Sequence, residues 1–247
     1  MKEHVRANFE ASATAYDEYE ARTGRFEDLA DKLAAAMDKR HDRPLETVLD
    51  AGSGTGASVG PLEQRGARVV ALDISRAMLT ENPASGRVQA DFDHLPFAPA
   101  SFDAVAFTAS LFLTPTPERA VAEAARVIRT GGTVGAVAPL GWSRPDGTDV
   151  FDGLERRSRS PSATDEVEAA LGDAFDLRTG IWTFDTTPRN LRLFHAVPAM
   201  AARLYPRLDA QTRIENATAL LADIEGLLSQ RWRWMVGVRT EDADTNR

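Results

Sequence analysis

The stretch VLDAGSGTGAS, residues 48–58, decides how the chain is read. An apolar run, Val48 and Leu49, gives way to three glycines that alternate with small residues, and a helical pattern follows from Ala57 to Arg65. Glycine at Gly52, Gly54 and Gly56 permits a tight strand-to-helix turn and close backbone approach by a ligand. With Ala57 in the last place the turn fits the dinucleotide pattern G-x-G-x-x-A. Asp73, at the end of the next apolar run, is placed to accept hydrogen bonds from both hydroxyls of a ribose, or else to cap a helix.

Asp50 separates the ligands this turn could hold. A dinucleotide sets a doubly charged pyrophosphate against the turn, and a carboxylate beside it repels it by several kcal/mol at low effective dielectric. A nucleoside with no phosphate and a cationic end meets no such conflict. S-adenosylmethionine, with its sulfonium and ammonium groups, is that ligand. An NAD(P)-dependent oxidoreductase is the weaker alternative, because the chain also lacks a Tyr-x-x-x-Lys pair. A non-catalytic S-adenosylmethionine-binding module is a second alternative.

Strand and helix signals alternate outward from the turn. ETVLD, ARVVALD, GRVQAD, SFDAVAFT and GGTVGAVAP read as strands. Helices are expected at Ala57–Arg65, after a cap at Ser75, and over Pro117–Arg129. Two helices separated by Gly24 are predicted in the first forty residues. Residues 142–165 read as a polar loop, followed by a helix near Glu166–Leu171 and a sixth strand, AFDLRTGIWTFD. Helical stretches Leu191–Leu204 and Ala210–Leu228 precede a seventh strand, RWRWMVGVRT. The RRSR run at residues 156–159 reads as a solvated loop and EDADTNR as a frayed tail.

The chain has 247 residues, no cysteine and a net charge of −8, so disulfides, thiolate catalysis and general binding to nucleic acid are not expected. Only three lysines, Lys2, Lys32 and Lys39, stand against many arginines. The first residues lack a signal-peptide core, and no apolar run spans a bilayer, so a cytoplasmic location is expected. No metal-ligand spacing occurs, and no metal is expected.

Four motifs in register, VLDAGSGTG, ALDISRAML, QADFDHLPFAPASFDAVAF and ARVIRTGGTV, resemble the class I S-adenosylmethionine-dependent methyltransferases. The closest type is the group containing the ubiquinone/menaquinone-biosynthesis and malonyl-carrier-protein methyltransferases, which FEASATAYDEY near the amino terminus also resembles. The resemblance implies an α/β Rossmann-like sheet of seven strands, mostly parallel with an antiparallel last strand, helices on both faces, amino-terminal helices, and a helical lid between strands six and seven. It implies S-adenosyl-L-methionine as cofactor and a small-molecule methyl acceptor. It assigns Asp50, Gly52, Gly54 and Gly56 to the methionine part, Asp73 to the ribose, Ile74 and Phe92 to the adenine ring, Asp91 to the adenine amino group, and Thr108 to the methionine end. TASLFLTPTP, after strand four, departs from the group by lacking a histidine-bearing segment, and no Asn-Pro-Pro-Tyr-like signature of base methylation follows.

One domain is expected over residues 1–247. Cap helices occupy 1–43, a cofactor half 44–140, and a substrate-side half 141–240 with the lid at about 189–229. Methyl transfer from a sulfonium is an in-line displacement in which the protein aligns the reactants, and a base is needed only for an acceptor protonated at neutral pH. His195, facing either pocket or core, and Tyr16, either a core aromatic or a ligand to substrate or cofactor carboxylate, are the candidate catalytic residues. His41 and His94 read as loop residues. Phe112, Trp142, Trp182 and Phe194 are candidates for an acceptor pocket.

Overall fold

The computed structural model describes residues 2–41, 43–152 and 163–240. Three helices open the chain: α1 (Lys2–Glu10), α2 (Ala13–Thr23) and α3 (Arg25–Asp38). Gly24, at φ +56°, ends α2 and starts α3, and the Glu20 carboxylate accepts from Phe26 N and Glu27 N at 2.8 Å each. Phe26, Leu29, Leu33 and Met37 recur at helical spacing and bury one face of α3 against the sheet.

The sheet alternates with helices as expected: β1 (Thr47–Ala51), α4 (Val59–Glu63), β2 (Arg68–Asp73), α5 (Arg76–Glu81), β3 (Gly86–Gln89), β4 (Phe102–Thr108), α6 (Pro117–Val127) and β5 (Ile128–Ser143). Then follow α7 (Ala163–Ala174), β6 (Asp176–Thr186), α8 (Pro188–Ala196), α9 (Pro198–Leu204), α10 (Ala210–Leu220) and β7 (Leu228–Val238). Strand order is β3-β2-β1-β4-β5-β7-β6. Every pairing is parallel except those of β7, which lies antiparallel between β5 and β6. The central strands are covered on both faces, which is why β4 reads as an almost unbroken apolar run.

The structure corrects several boundaries. The amino-terminal segment breaks twice rather than once, because Ser12 Oγ turns back to Asn8 O (2.6 Å) and ends α1. Residues 142 and 143 are strand, and a short hairpin bridges Ser143 to Asp149. The helical stretch 191–204 is split at Val197 because Pro198 forces an extended residue before it. The following helix ends at Leu220, short of Leu228. The RRSR run and the acidic tail lie outside the described residues.

Candidate functional site

The carboxyl ends of β1, β2 and β4 meet at the topological switch point, where open parallel sheets bind ligands. Gly52 N (2.7 Å) and Ser53 N (3.0 Å) both donate to Leu72 O, fastening the glycine turn to β2. Gly52 (φ +74°) and Gly56 (φ +95°) take left-handed backbone, and a side chain at Gly52 would run into Ser110 Cβ. Asn82 Nδ2 ties Ser53 Oγ (2.8 Å) and Gly54 O (3.0 Å) from the other side.

Two carboxylates sit behind this turn. Asp73 accepts from Gly54 N at 2.9 Å and Ser75 N at 2.8 Å, and burial raises its pKa. Asp50 is fully buried. Its Oδ2 accepts from Ser53 Oγ and Ser58 Oγ, at 2.5 Å each, while its Oδ1 is buried with no hydrogen-bond partner among the described residues. Burial pushes the Asp50 carboxyl up to about 6 against the pull of the two hydroxyls.

A cavity opens in front of the turn. Gly52, Gly54, Asp73, Ile74, Asp91, Phe92 and Thr108 all line it. Asp50 and Gly56 do not line it. Asp50 stands behind the wall, and Gly56 packs toward Pro83 and Asn82. Phe92 is held edge-on by Phe107, with ring centroids 5.7 Å apart. Tyr16 also lines the cavity and stacks on Phe26 at 5.0 Å. Its hydroxyl pKa is raised, chiefly by burial.

His195 is on α8, away from this wall. Its Nδ1 lies 2.9 Å from Leu191 O, and its ring packs among Trp142, Phe151 and Phe194. Trp142 and Phe194 belong to that same buried cluster. Trp182 stacks on Trp234 along the outer strands. Phe112 is buried in the 3-10 turn Leu111–Leu113, just before the wall residues Leu113, Thr114 and Pro115 in sequence. None of the four aromatic candidates lines the cavity.

Sequence reasoning missed Val5, Phe9, Glu20 and Phe26, by which the first three helices close the cavity, as well as Ser110 and Ala109. Ala109 takes φ +58° directly after β4, an uncommon backbone for a residue with a side chain. The TASLFLTPTP segment offers no glycine there to signal the turn.

The arrangement fits a cation-bearing nucleoside. Glu20, Asp73 and Asp91 line the cavity, and the unpaired buried oxygen of Asp50 lies just behind the turn. The same acids would repel a diphosphate. Among the described residues no group of His, Asp or Glu is arranged to hold a metal ion, and no helix is long and apolar enough to cross a membrane.

Comparison with known proteins agrees with this geometry. Residues 49–135 match the family model described as a methyltransferase domain. The chain is 33% identical to the malonyl-(acyl-carrier protein) O-methyltransferase of Laribacter hongkongensis, over 94% of this chain and 89% of that one. It is 41% identical to the demethylmenaquinone methyltransferase of Renibacterium salmoninarum, but over only 36% of this chain and 39% of that one. The fold is shared with a solved Bacillus halodurans C-125 protein (TM-score 0.58, 18% identity, 84% and 98% of the two chains). It is shared as well with the cyclase SpnF (0.55, 18%, 85% and 82%).

Proposed function

We propose a carboxylate acceptor for this chain, which belongs to the class I S-adenosylmethionine-dependent methyltransferases. Its cofactor is S-adenosylmethionine and it transfers a methyl group to a small molecule. The finer reading is methyl esterification of a small acid of malonyl-thioester type.

One observation carries it: the cavity wall has no histidine or lysine among the described residues. Its titratable side chains are Tyr16, Glu20, Asp73 and Asp91. Glu20 caps α3 with both oxygens. Burial holds the Tyr16 proton in place, and the two aspartates are assigned to the donor. No group is left to deprotonate a phenol, quinol or ammonium acceptor, whereas a carboxylate is already a nucleophile at neutral pH. The malonyl-type relative, similar along nearly the whole chain, supports the same reading. The menaquinone-type relative is similar over only about a third of it.

In this reading Asp73 accepts from the ribose, Asp91 from the adenine amino group, and Ile74 and Phe92 cover the ring. The Gly52–Gly54 turn and Thr108 border the methionine part, with Asp50 behind them as counter-charge. Residues 1–43 cap the cavity and 44–140 hold the donor; the acceptor enters from the side of the described residues of 141–240, which lie outside the cavity wall, with the helices at 189–229 as a lid. When bound, the donor supplies a sulfonium-activated methyl group to an acceptor oxygen, the carbon–sulfur pair returning to sulfur with no proton transferred. The chain's own task is to align the two and keep water out, worth roughly 7–11 kcal/mol.

The test is direct. Purified protein, labelled donor and the malonyl thioester of N-acetylcysteamine are expected to give a base-labile methyl ester. A label found only in base-stable product, or in none, overturns the reading.

Asp50 makes a second prediction. Because burial raises its pKa to about 6, the donor-free fold is favoured by a protonated Asp50 and loses that contribution as pH rises through about 6. Binding a cation runs the other way, since it requires the carboxylate. Calorimetry should therefore find S-adenosylmethionine affinity declining below about pH 6, by at most ~10-fold per unit. Asp50→Asn should bind weakly and flatten the profile, which separates this titration from that of neighbouring Asp73. A wild-type profile flat from pH 5 to 7 would remove the counter-charge role.

A further inference from the structure

We infer that Asp93 is a positioning residue for base recognition, holding Asp91 toward the edge of the adenine. The inference rests on the assignment of Asp91 to the adenine amino group proposed above. β3 and β4 are not neighbours in the sheet, since β2 and β1 stand between them. The loops that follow both strands nevertheless supply one cavity wall: Asp91 and Phe92 after β3, and Leu113, Thr114 and Pro115 after β4. Asp93 joins these loops. It is buried, and its carboxylate accepts from Thr116 Oγ1 at 2.7 Å and from Thr114 Oγ1 at 3.3 Å. Its backbone acts on the wall itself. Asp93 N donates to Asp91 Oδ1 at 3.0 Å, and His94 N donates to Asp91 O at 2.9 Å. The Asp91 carboxylate is thus oriented by a residue that is anchored to the other loop.

Thr116 shows that this bridge is formed against a local preference. It is the N-cap of α6, where a threonine side chain ordinarily accepts from an N–H of the first turn. Here the side chain caps nothing and donates to Asp93 instead. α6 starts without that bond, on Pro117, whose fixed φ suits a first helical position. A local rule broken beside a ligand cavity points to function rather than to the helix. The same loop has a second fastening beyond Asp93. Leu95 N donates to Glu123 Oε2 at 2.7 Å, and Arg126 donates to Leu95 O at 2.9 Å and Phe97 O at 2.7 Å. The base itself offers a way to read the orientation of Asp91. Adenine presents an amino donor at its sixth position, whereas hypoxanthine presents an oxygen, which a carboxylate repels. Ribose and methionine contacts are common to both nucleosides.

Calorimetry with S-adenosylhomocysteine and with S-inosylhomocysteine therefore reports the orientation as a ratio of affinities. Wild type is expected to favour adenine by roughly 10- to 100-fold. Thr116→Val, which removes the hydroxyl and keeps the side-chain shape, should lower that ratio. Asp93→Ala should bring it to about threefold or less. Thr116→Ser, which keeps the hydroxyl, should hold the wild-type ratio. Arg126→Met should lower the thermal midpoint and leave the ratio unchanged, because it loosens the loop at the second fastening only. A wild-type ratio in both Thr116→Val and Asp93→Ala overturns the inference. So does an equal loss of ratio in Arg126→Met, which would make Asp93 one structural tie among several. If Asp91→Ala loses the preference and Asp93→Ala keeps it, the adenine assignment stands and the positioning role falls. If wild type shows no preference, the assignment falls and the inference with it.

Discussion

Asp73→Ala is expected to weaken S-adenosylhomocysteine binding by roughly 100- to 1,000-fold, measured by calorimetry below the variant's unfolding transition. One carboxylate has two tasks. It pins the glycine turn through Gly54 N and opens α5 through Ser75 N. Each of its oxygens retains a further lone pair for a ribose hydroxyl in the proposed arrangement. Removing it loses charge-assisted bonds of about 1.5–3 kcal/mol each and frees the turn. Asp73→Asn keeps one acceptor oxygen but turns an NH₂ toward a backbone N–H, so its loss should be intermediate. Affinity within about threefold of wild type in Asp73→Ala would end the ribose assignment.

Gly52→Ala should be strongly damaging, for two separate reasons. The left-handed backbone at φ +74° costs a non-glycine residue about 1–2 kcal/mol. The new methyl also collides with Ser110 Cβ, itself held by a 2.6 Å bond from Ser110 Oγ to Ala51 O, and such overpacking costs about 1–3 kcal/mol more. Together these should lower Tm by roughly 5–15 °C and abolish donor binding. Gly54→Ala is the control: it has φ +55° but nothing within 4 Å of the added methyl, so only the backbone cost applies. Combining Gly52→Ala with Ser110→Gly should recover the collision share of the loss and no more. Equal thermal shifts for Gly52→Ala and Gly54→Ala would show that the close approach to Ser110 is not restrictive.

The parts of this site that were readable in the sequence are those whose chemistry is local. Three glycines between a strand and a helix, an acid closing the next strand, and Asp91-Phe92 after the third all carry their signal within a few residues, and the fold brings all of them except Gly56 to one cavity. Asp50 carried a charge signal but not a position, because its exclusion from the wall depends on Ser53 and Ser58 folding over it. Val5, Phe9 and Phe26 were invisible as wall residues. An apolar residue on an amphipathic helix looks the same whether it faces core or ligand. His195 looked like chemistry because histidines are few, yet α8 turns it into an aromatic cluster. The strand boundary at Ser143 was misread because proline, glycine and serine there suggested a loop. Pairing with Ser229 and Gln230 of β7 overrode that local preference.

The placement of β7 between β5 and β6 sets an order of events during synthesis. Both neighbours leave the ribosome before the segment that must lie between them. Until residues 228–238 emerge, the nascent chain carries an open apolar edge on β5 and a β6 with nowhere to dock. Direct pairing of β5 with β6 is then the nearest wrong register. A chain stopped short of Leu228 should accordingly depend on chaperones or aggregate, even though its nucleoside-facing strands are already complete.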